Sequence, residues 1–262
     1  MNVYLISYST SKFRLSQLVL GLSARVFGCN KVIVKTKKDL IPTDFYKAHE
    51  PILSQKRGAG YWLWKYYFIN ELIHKINDND IIIYADSGLF FKGSINPLIE
   101  ILTQKTKGIL LFNNNYLNRY WTKRDCFVKL SCDEENYYNS PLIFGGLQLF
   151  QKNAASIAFI EEVLRESVLD NIITDSPNIF GLPNLDGFIE HRHDQSVVSL
   201  IAHKKSIQLY PDPSQYKTKD FIYKFPDEYS LSEPLYKNSV YVHRSPGLRL
   251  LLLPFKILLK KA

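Results

Sequence analysis

The run Ile81-Ile82-Ile83-Tyr84 most narrows what this chain can fold into. Side chains alternate across a strand, so an unbroken apolar run puts apolar surface on both of its faces. Such a strand must be covered twice, as the central strand of a helix-flanked, mostly parallel sheet is. Asn77 to Asp80 supplies turn chemistry before it, and Asp86-Ser87-Gly88 opens a loop after it.

The rest of the chain alternates in the same sense. Residues 3–7 read as a strand, 16–22 as an amphipathic stretch and 31–35 as a strand, the order of a parallel crossover unit. Apolar residues at helical spacing predict a helix over 61–76, after Gly58-Ala59-Gly60. A helix over 95–103 and a strand over 108–112 follow. Residues 113–138 are polar, aromatic and weakly periodic, and predict a long functional loop region. Residues 141–152 read as a strand interrupted by Gly145-Gly146, 154–169 as a helix, and 171–190 as loop. A helix over 194–204 and strands at 207–210 and 240–243 complete the pattern. Neither a repeat nor an interdomain linker is visible. The expectation is a single α/β domain over residues 1–245, with a tail over 246–262.

Composition excludes other classes. The 262 residues are 46% apolar and 22% charged, the balance of a folded globule rather than a disordered chain. Three scattered cysteines argue against a disulfide framework and for a reducing compartment. The first ten residues read as a strand and not a signal peptide. No run of about 18 apolar residues occurs, so no membrane-spanning helix is expected. The formal charge of +8 permits nucleic-acid binding, an anionic membrane surface or phosphate ligands. No nucleic-acid-binding signature accompanies it, and no nucleic-acid partner is expected.

Ligands of open α/β sheets bind beyond the carboxyl ends of the strands. Asp86 stands at such an end, where a carboxylate can hold a ribose hydroxyl or a divalent cation carrying a diphosphate; as a plain turn residue it would cap the loop. In Arg57 to Lys65, the glycines suit an anion, Arg57 and Lys65 suit phosphate, and Tyr61 or Trp62 could stack on a base. The alternative there is a glycine turn before an aromatic core helix. The run His191-Arg192-His193-Asp194-Gln195 leads into a helix. Asp194 suits its N-cap, yet a carboxylate beside histidines also suits a general base, and H-x-H-D carries zinc-ligand types. His243 and Arg244 end a late strand, where a metal ligand and a phosphate partner are alternatives to a satisfied surface pair. The tail joins Leu250 to Leu253 and Leu258-Leu259 to Arg249, Lys256, Lys260 and Lys261. It reads as an interfacial anchor on an anionic leaflet, with a docked terminal helix as the rival.

Taken together, R-G-x-G-Y-W-x-W-K (Arg57 to Lys65), Y-A-D-S-G (Tyr84 to Gly88), the Gly145-Gly146 strand and H-R-H-D-Q-S (His191 to Ser196) resemble bacterial GT-A-fold glycosyltransferases that build lipopolysaccharide or capsule. The resemblance implies a mixed, mostly parallel sheet flanked by helices. It further implies hexosyl transfer from a nucleotide sugar, most simply a UDP-sugar, to a glycan or lipid-linked oligosaccharide. Asp86 is similar to the first Asp of the DxD motif, which serves the ribose and Mn²⁺ or Mg²⁺, while Gly88 replaces the second Asp. The metal would then rest on Asp86 and His243. Donor binding falls to Ser7, Arg57, Gly60, Trp62, Lys65, Asp86, Ser87, Gly145, Gly146 and Arg244. Catalysis falls to His193, Asp194 and Gln195, with Asp194-Gln195 similar to a D-Q pair on the reacting face. The basic tail is similar to those that hold such enzymes at the cytoplasmic face of the inner membrane. A non-catalytic sugar- or membrane-binding module is the alternative from another class, and a nucleic-acid-binding protein a weaker one.

Overall fold

The computed structural model describes residues 1–215 and 239–243. Arg244 and the basic tail lie outside the described residues. The described residues form nine strands: β1 (Val3–Tyr8), β2 (Lys31–Lys35), β3 (Ile81–Ala85), β4 (Leu89–Phe91), β5 (Ile109–Leu117), β6 (Pro141–Ile143), β7 (Leu147–Gln151), β8 (Leu209–Pro211) and β9 (Val240–Val242). The principal sheet has seven strands in the order β2-β1-β3-β7-β5-β6, with β8 also pairing β5. Strands β1, β2, β3, β5 and β8 run one way, and β6 and β7 run against them. A small antiparallel sheet joins β4 to β9.

Strand β3 is central and fully buried, as its apolar run requires. Ile82 and Tyr84 enter one core, and Ile81, Ile83 and Ala85 enter the other. The helices divide the same way. Helices α1 (Arg14–Val26) and α3 (Asn96–Lys105) cover the face of Ile81 and Ile83. Helices α2 (Trp64–Ile73), α4 (Ala154–Ser167) and α5 (Asp194–Lys204) cover that of Ile82 and Tyr84. Asn153 sets the start of α4, its side chain accepting from the Ser156 N–H at 2.9 Å in a reciprocal cap.

Several expectations need correction. Residues 113–138 are not one loop: β5 runs on to Leu117, and short helices at Asn118–Trp121, Arg124–Lys129 and Glu135–Tyr138 follow. Residues 141–152 are two strands at different places in the sheet, because the chain turns at Gly145-Gly146 instead of bulging. Three short helices between residues 37 and 53 were not expected. The helix expected over 61–76 begins only at Trp64. Before it, Gly58, Ala59, Gly60, Tyr61 and Trp62 all have positive φ, a left-handed turn that local apolar spacing does not encode.

That turn carries roughly 1–2 kcal/mol of strain at each non-glycine residue. It is tied by Tyr61 N–H to Arg57 C=O at 2.8 Å and by the Trp64 indole N–H to Gly58 C=O at 2.9 Å. Gly60 is its tightest point. Its φ is +102°, and a Cβ there would lie 2.6 Å from Leu53 Cα. Gly60→Ala is expected to destabilise the fold by about 2–4 kcal/mol in urea unfolding. Gly181→Ala, at positive φ but in open space, should cost about 1 kcal/mol.

Candidate active site

The carboxyl ends of β1 and β3 open onto a cavity of about 600 Å³. Tyr8, Ser9, Thr10 and Phe13 line it after β1, Asp86, Ser87 and Gly88 after β3, and Lys56, Gly58, Ala59 and Trp62 along the left-handed turn. Trp64, Leu89, Phe144, Gly146, Val242 and His243 complete the wall. Tyr8 stacks on Trp64 with ring centroids 3.9 Å apart, and burial pushes its hydroxyl up to about 12. A neutral, flat aromatic platform therefore stands at one end of the cavity.

Asp86 is held from two sides. Its carboxylate accepts a short hydrogen bond from the Tyr84 hydroxyl, and its N–H donates to Gly146 C=O at 2.9 Å. Burial, then the Asp86 charge, drives the Tyr84 hydroxyl well above its ordinary range, so the donor stays protonated. The Gly88 C=O accepts from His243 N–H at 2.7 Å. A Cβ on Gly88 would lie 2.9 Å from the His243 carbonyl oxygen. This contact leaves no room for the acid that would complete a DxD motif. It also seats His243 on the cavity beside the Asp86 loop.

Behind the Gly145-Gly146 wall lies a buried ion pair. Lys65 Nζ is 2.5 Å from the Asp194 carboxylate, with side-chain exposures of 2% and 6%. The same ammonium donates to Gly145 C=O at 3.0 Å and sits 4.8 Å above the Tyr84 ring. Burial raises the Asp194 carboxyl to about 6; Lys65 opposes the rise and Asp86 adds to it. A carboxylate poised there can take or hold a proton near neutrality. Gln195 packs against Gly145 and donates to Ile143 C=O.

The structure thus gathers Trp62, Asp86, Ser87, Gly146 and His243 on the cavity, with Lys65, Gly145, Asp194 and Gln195 behind it. Other expected residues stand elsewhere. Lys65 faces Asp194 rather than open space for phosphate, because its helix is buried. Arg57 is engaged by Glu190 at 2.8 Å and Asp175 at 3.4 Å, and among the described residues it is Lys56 that brings a cation to the cavity. Ser7 points away from the cavity that its neighbour Tyr8 lines, into the buried interior. Gly60 packs on Leu53. His193, not Asp194, is the N-cap residue of α5, and its Nδ1 meets Ile173 C=O at 2.9 Å. Its ring packs on Trp62 and Tyr61, and burial lowers its pKa. His191 meets Ile172 C=O, so both histidines of the H-x-H-D run serve the backbone, while its Asp194 pairs with Lys65. Sequence reasoning missed Tyr8, Ser9 and Thr10, although the strand-end rule that found Asp86 applies equally to β1.

Among the described residues, no three His, Cys, Asp or Glu side chains gather to hold a metal ion. Two such donors, Asp86 and His243, line the same cavity. That set fits a divalent cation of the kind bound by few protein ligands and completed by phosphate oxygens and water. No helix among the described residues is long and apolar enough to cross a membrane.

No protein-family model matches the chain, and no curated protein matches it in sequence. Among solved structures it is similar to the apo WbbM bifunctional glycosyltransferase, with a TM-score of 0.56 and 11% identity. That match covers 94% of this chain and 46% of WbbM, so the chain spans about half of that protein's length. Mouse xyloside xylosyltransferase 1 in its apo form is matched at TM-score 0.49 and 14% identity, over 95% of this chain and 100% of that one. An active-site mutant of LgtC is matched at TM-score 0.49 and 12% identity, over 93% and 88%. The WbbM likeness carries the fold: a single domain of the GT-A type, as the sequence resemblance implies.

Proposed function

We propose that this chain moves a hexose from a nucleotide sugar, in the first instance a UDP-sugar, to a hydroxyl of a cell-surface glycan or lipid-linked oligosaccharide. The observation that carries the reading is the cavity at the ends of β1 and β3, with Asp86 fixed in its wall. Tyr8 and Trp62 offer flat surfaces for a base. Asp86 would accept from ribose hydroxyls, and Lys56 would face the diphosphate. Asp86 and His243 would hold Mn²⁺ or Mg²⁺, which when bound neutralises charge developing on the leaving diphosphate. Lys65 fixes the Asp194 carboxylate and the Gly145 carbonyl together behind the Gly146 wall. In an inverting reaction Asp194 would take the acceptor's proton. In a retaining one, Asp194 or Gln195 would steady the positive sugar centre. The setting is the cytoplasmic face of the inner membrane, where lipid-linked acceptors present their glycans.

Calorimetric titration of UDP, GDP and CMP, each with and without Mn²⁺, tests the reading. UDP should bind the wild type more tightly with Mn²⁺. Asp86→Ala should weaken that binding roughly 10- to 100-fold, the worth of hydrogen bonds to a charged group. Binding of GDP or CMP instead would reassign the donor's base. Silence from all three nucleotides would overturn the transferase reading.

A further inference from the structure

Helix α1 turns an apolar stripe to solvent. Leu18, Leu22 and Val26 stand at i, i+4 and i+8 and are 56%, 58% and 76% exposed. Leu20 and Ala24 on the opposite face are fully buried, so the helix already has its core contact. Two large aliphatic side chains and a valine in one exposed row are not needed for folding.

The charge around the stripe is one-sided. Residues 11–38 contain seven Lys or Arg (Lys12, Arg14, Arg25, Lys31, Lys35, Lys37, Lys38) and no Asp or Glu, in a chain whose net charge is +8. At 100° per residue, Arg14 and Arg25 project along one edge of the stripe, next to Leu18. That edge leads towards β2, because Gly21 packs on Val32. Strand β2 is the last strand of the sheet, and its Val34, 47% exposed, shares the face of Val32 on that flank, while Lys31 and Lys35 lie on the opposite face, over Tyr4 and Phe68. Among the described residues only Lys35 of the seven is in an ion pair, with Glu71 at 3.4 Å.

We propose that this flank, α1 with the edge strand β2, docks on an anionic lipid leaflet. Leu18, Leu22 and Val26 would sink into the boundary between headgroups and acyl chains, and the cations would lie over lipid phosphates. A leaflet uses both features at once. A second copy of the chain would set cations against cations, and a nucleic acid would leave the aliphatic row in water. The inference goes beyond the transferase reading and stands without it. Helix α1 follows directly on Phe13, which lines the cavity, so the docked flank adjoins the cavity rim. Delivery of a lipid-linked acceptor there is the one consequence that rests on that reading.

Flotation of the full-length protein with vesicles tests the proposal. Two compositions are used: phosphatidylcholine alone, and phosphatidylcholine with phosphatidylglycerol in equal parts. The wild type should float with the mixed vesicles and not with the neutral ones. Leu18→Gln with Leu22→Gln should lower partition at least about tenfold. Arg14→Gln with Arg25→Gln should lower it about fivefold per charge, and added salt should mimic that loss. All four positions are exposed, so melting temperature and UDP affinity should stay at wild-type values. The proposal fails if the wild type ignores mixed vesicles, or if the leucine variant floats as well as the wild type. It also fails if sedimentation shows a dimer that the leucine variant loses, or if the arginine pair is needed for duplex DNA instead. Loss of UDP binding in the wild type would strike the transferase reading alone.

Discussion

Asp194→Asn is expected to lower the rate of sugar transfer by roughly 10²- to 10⁴-fold, the range that a positioned proton acceptor contributes. Substrate KM should change little, because Asp86 and the aromatic rings on the cavity are untouched by the substitution. The protein should remain folded. Asparagine keeps an oxygen acceptor near Lys65, whose ammonium also retains Gly145 C=O at 3.0 Å. The wild-type pH profile should show the same group at work. Burial holds the Asp194 carboxyl at about 6. Lowering the pH through about 6 adds the proton that removes its negative charge, so transfer should fall on that acid limb. A profile flat from pH 5 to 8, or a variant with wild-type turnover, would remove Asp194 from the reaction.

Lys65→Met should be the most damaging substitution for stability. It leaves a carboxylate in the interior with no cation, and breaking one side of a buried pair costs roughly 3–5 kcal/mol. The loss should depend on pH in a definite direction. With Lys65 gone, the influence that lowers the Asp194 pKa disappears, and the value climbs beyond about 6. The folded state then holds a proton that the unfolded chain, with an ordinary value of 3.8, has released. Stability of the variant should therefore rise as pH falls through that raised value, and level off near 4. Urea unfolding at pH 8 and at pH 5 would read this directly. Lys65→Met combined with Asp194→Asn should recover much of the loss at pH 8, since no buried charge remains. Equal destabilisation at both pH values would mean that lost packing dominates.

The two residues show where sequence reading stops. Lys65 sits among aromatic residues before a helix, and its sequence neighbours suggest phosphate. Asp194 opens another helix, and its neighbours suggest a cap. Only the sheet order, which sets β7 beside β3 and carries α2 and α5 to the same face, brings the two side chains together. The same order decides that Arg57 meets Glu190 and that Gly88 abuts His243. Five residues of positive φ before α2 were equally hidden, because Tyr61 and Trp62 prefer ordinary backbone and take this one where both rings pack on His193 and Gly60 abuts Leu53.

What the sequence determined by itself is local and periodic. The unbroken run at Ile81 demanded a strand covered on both faces. The spacing at Ala154 and Asp194 demanded helices, and Asp86 after an apolar strand marked the ligand end of the sheet. Those features depend on residues a few positions apart, where the period of a strand or helix acts directly. The partners of buried charges, the walls of the cavity and the split of residues 141–151 into two strands depend on pairings between distant segments. Burial turns such pairings into energies, and burial exists only once the tertiary structure has formed.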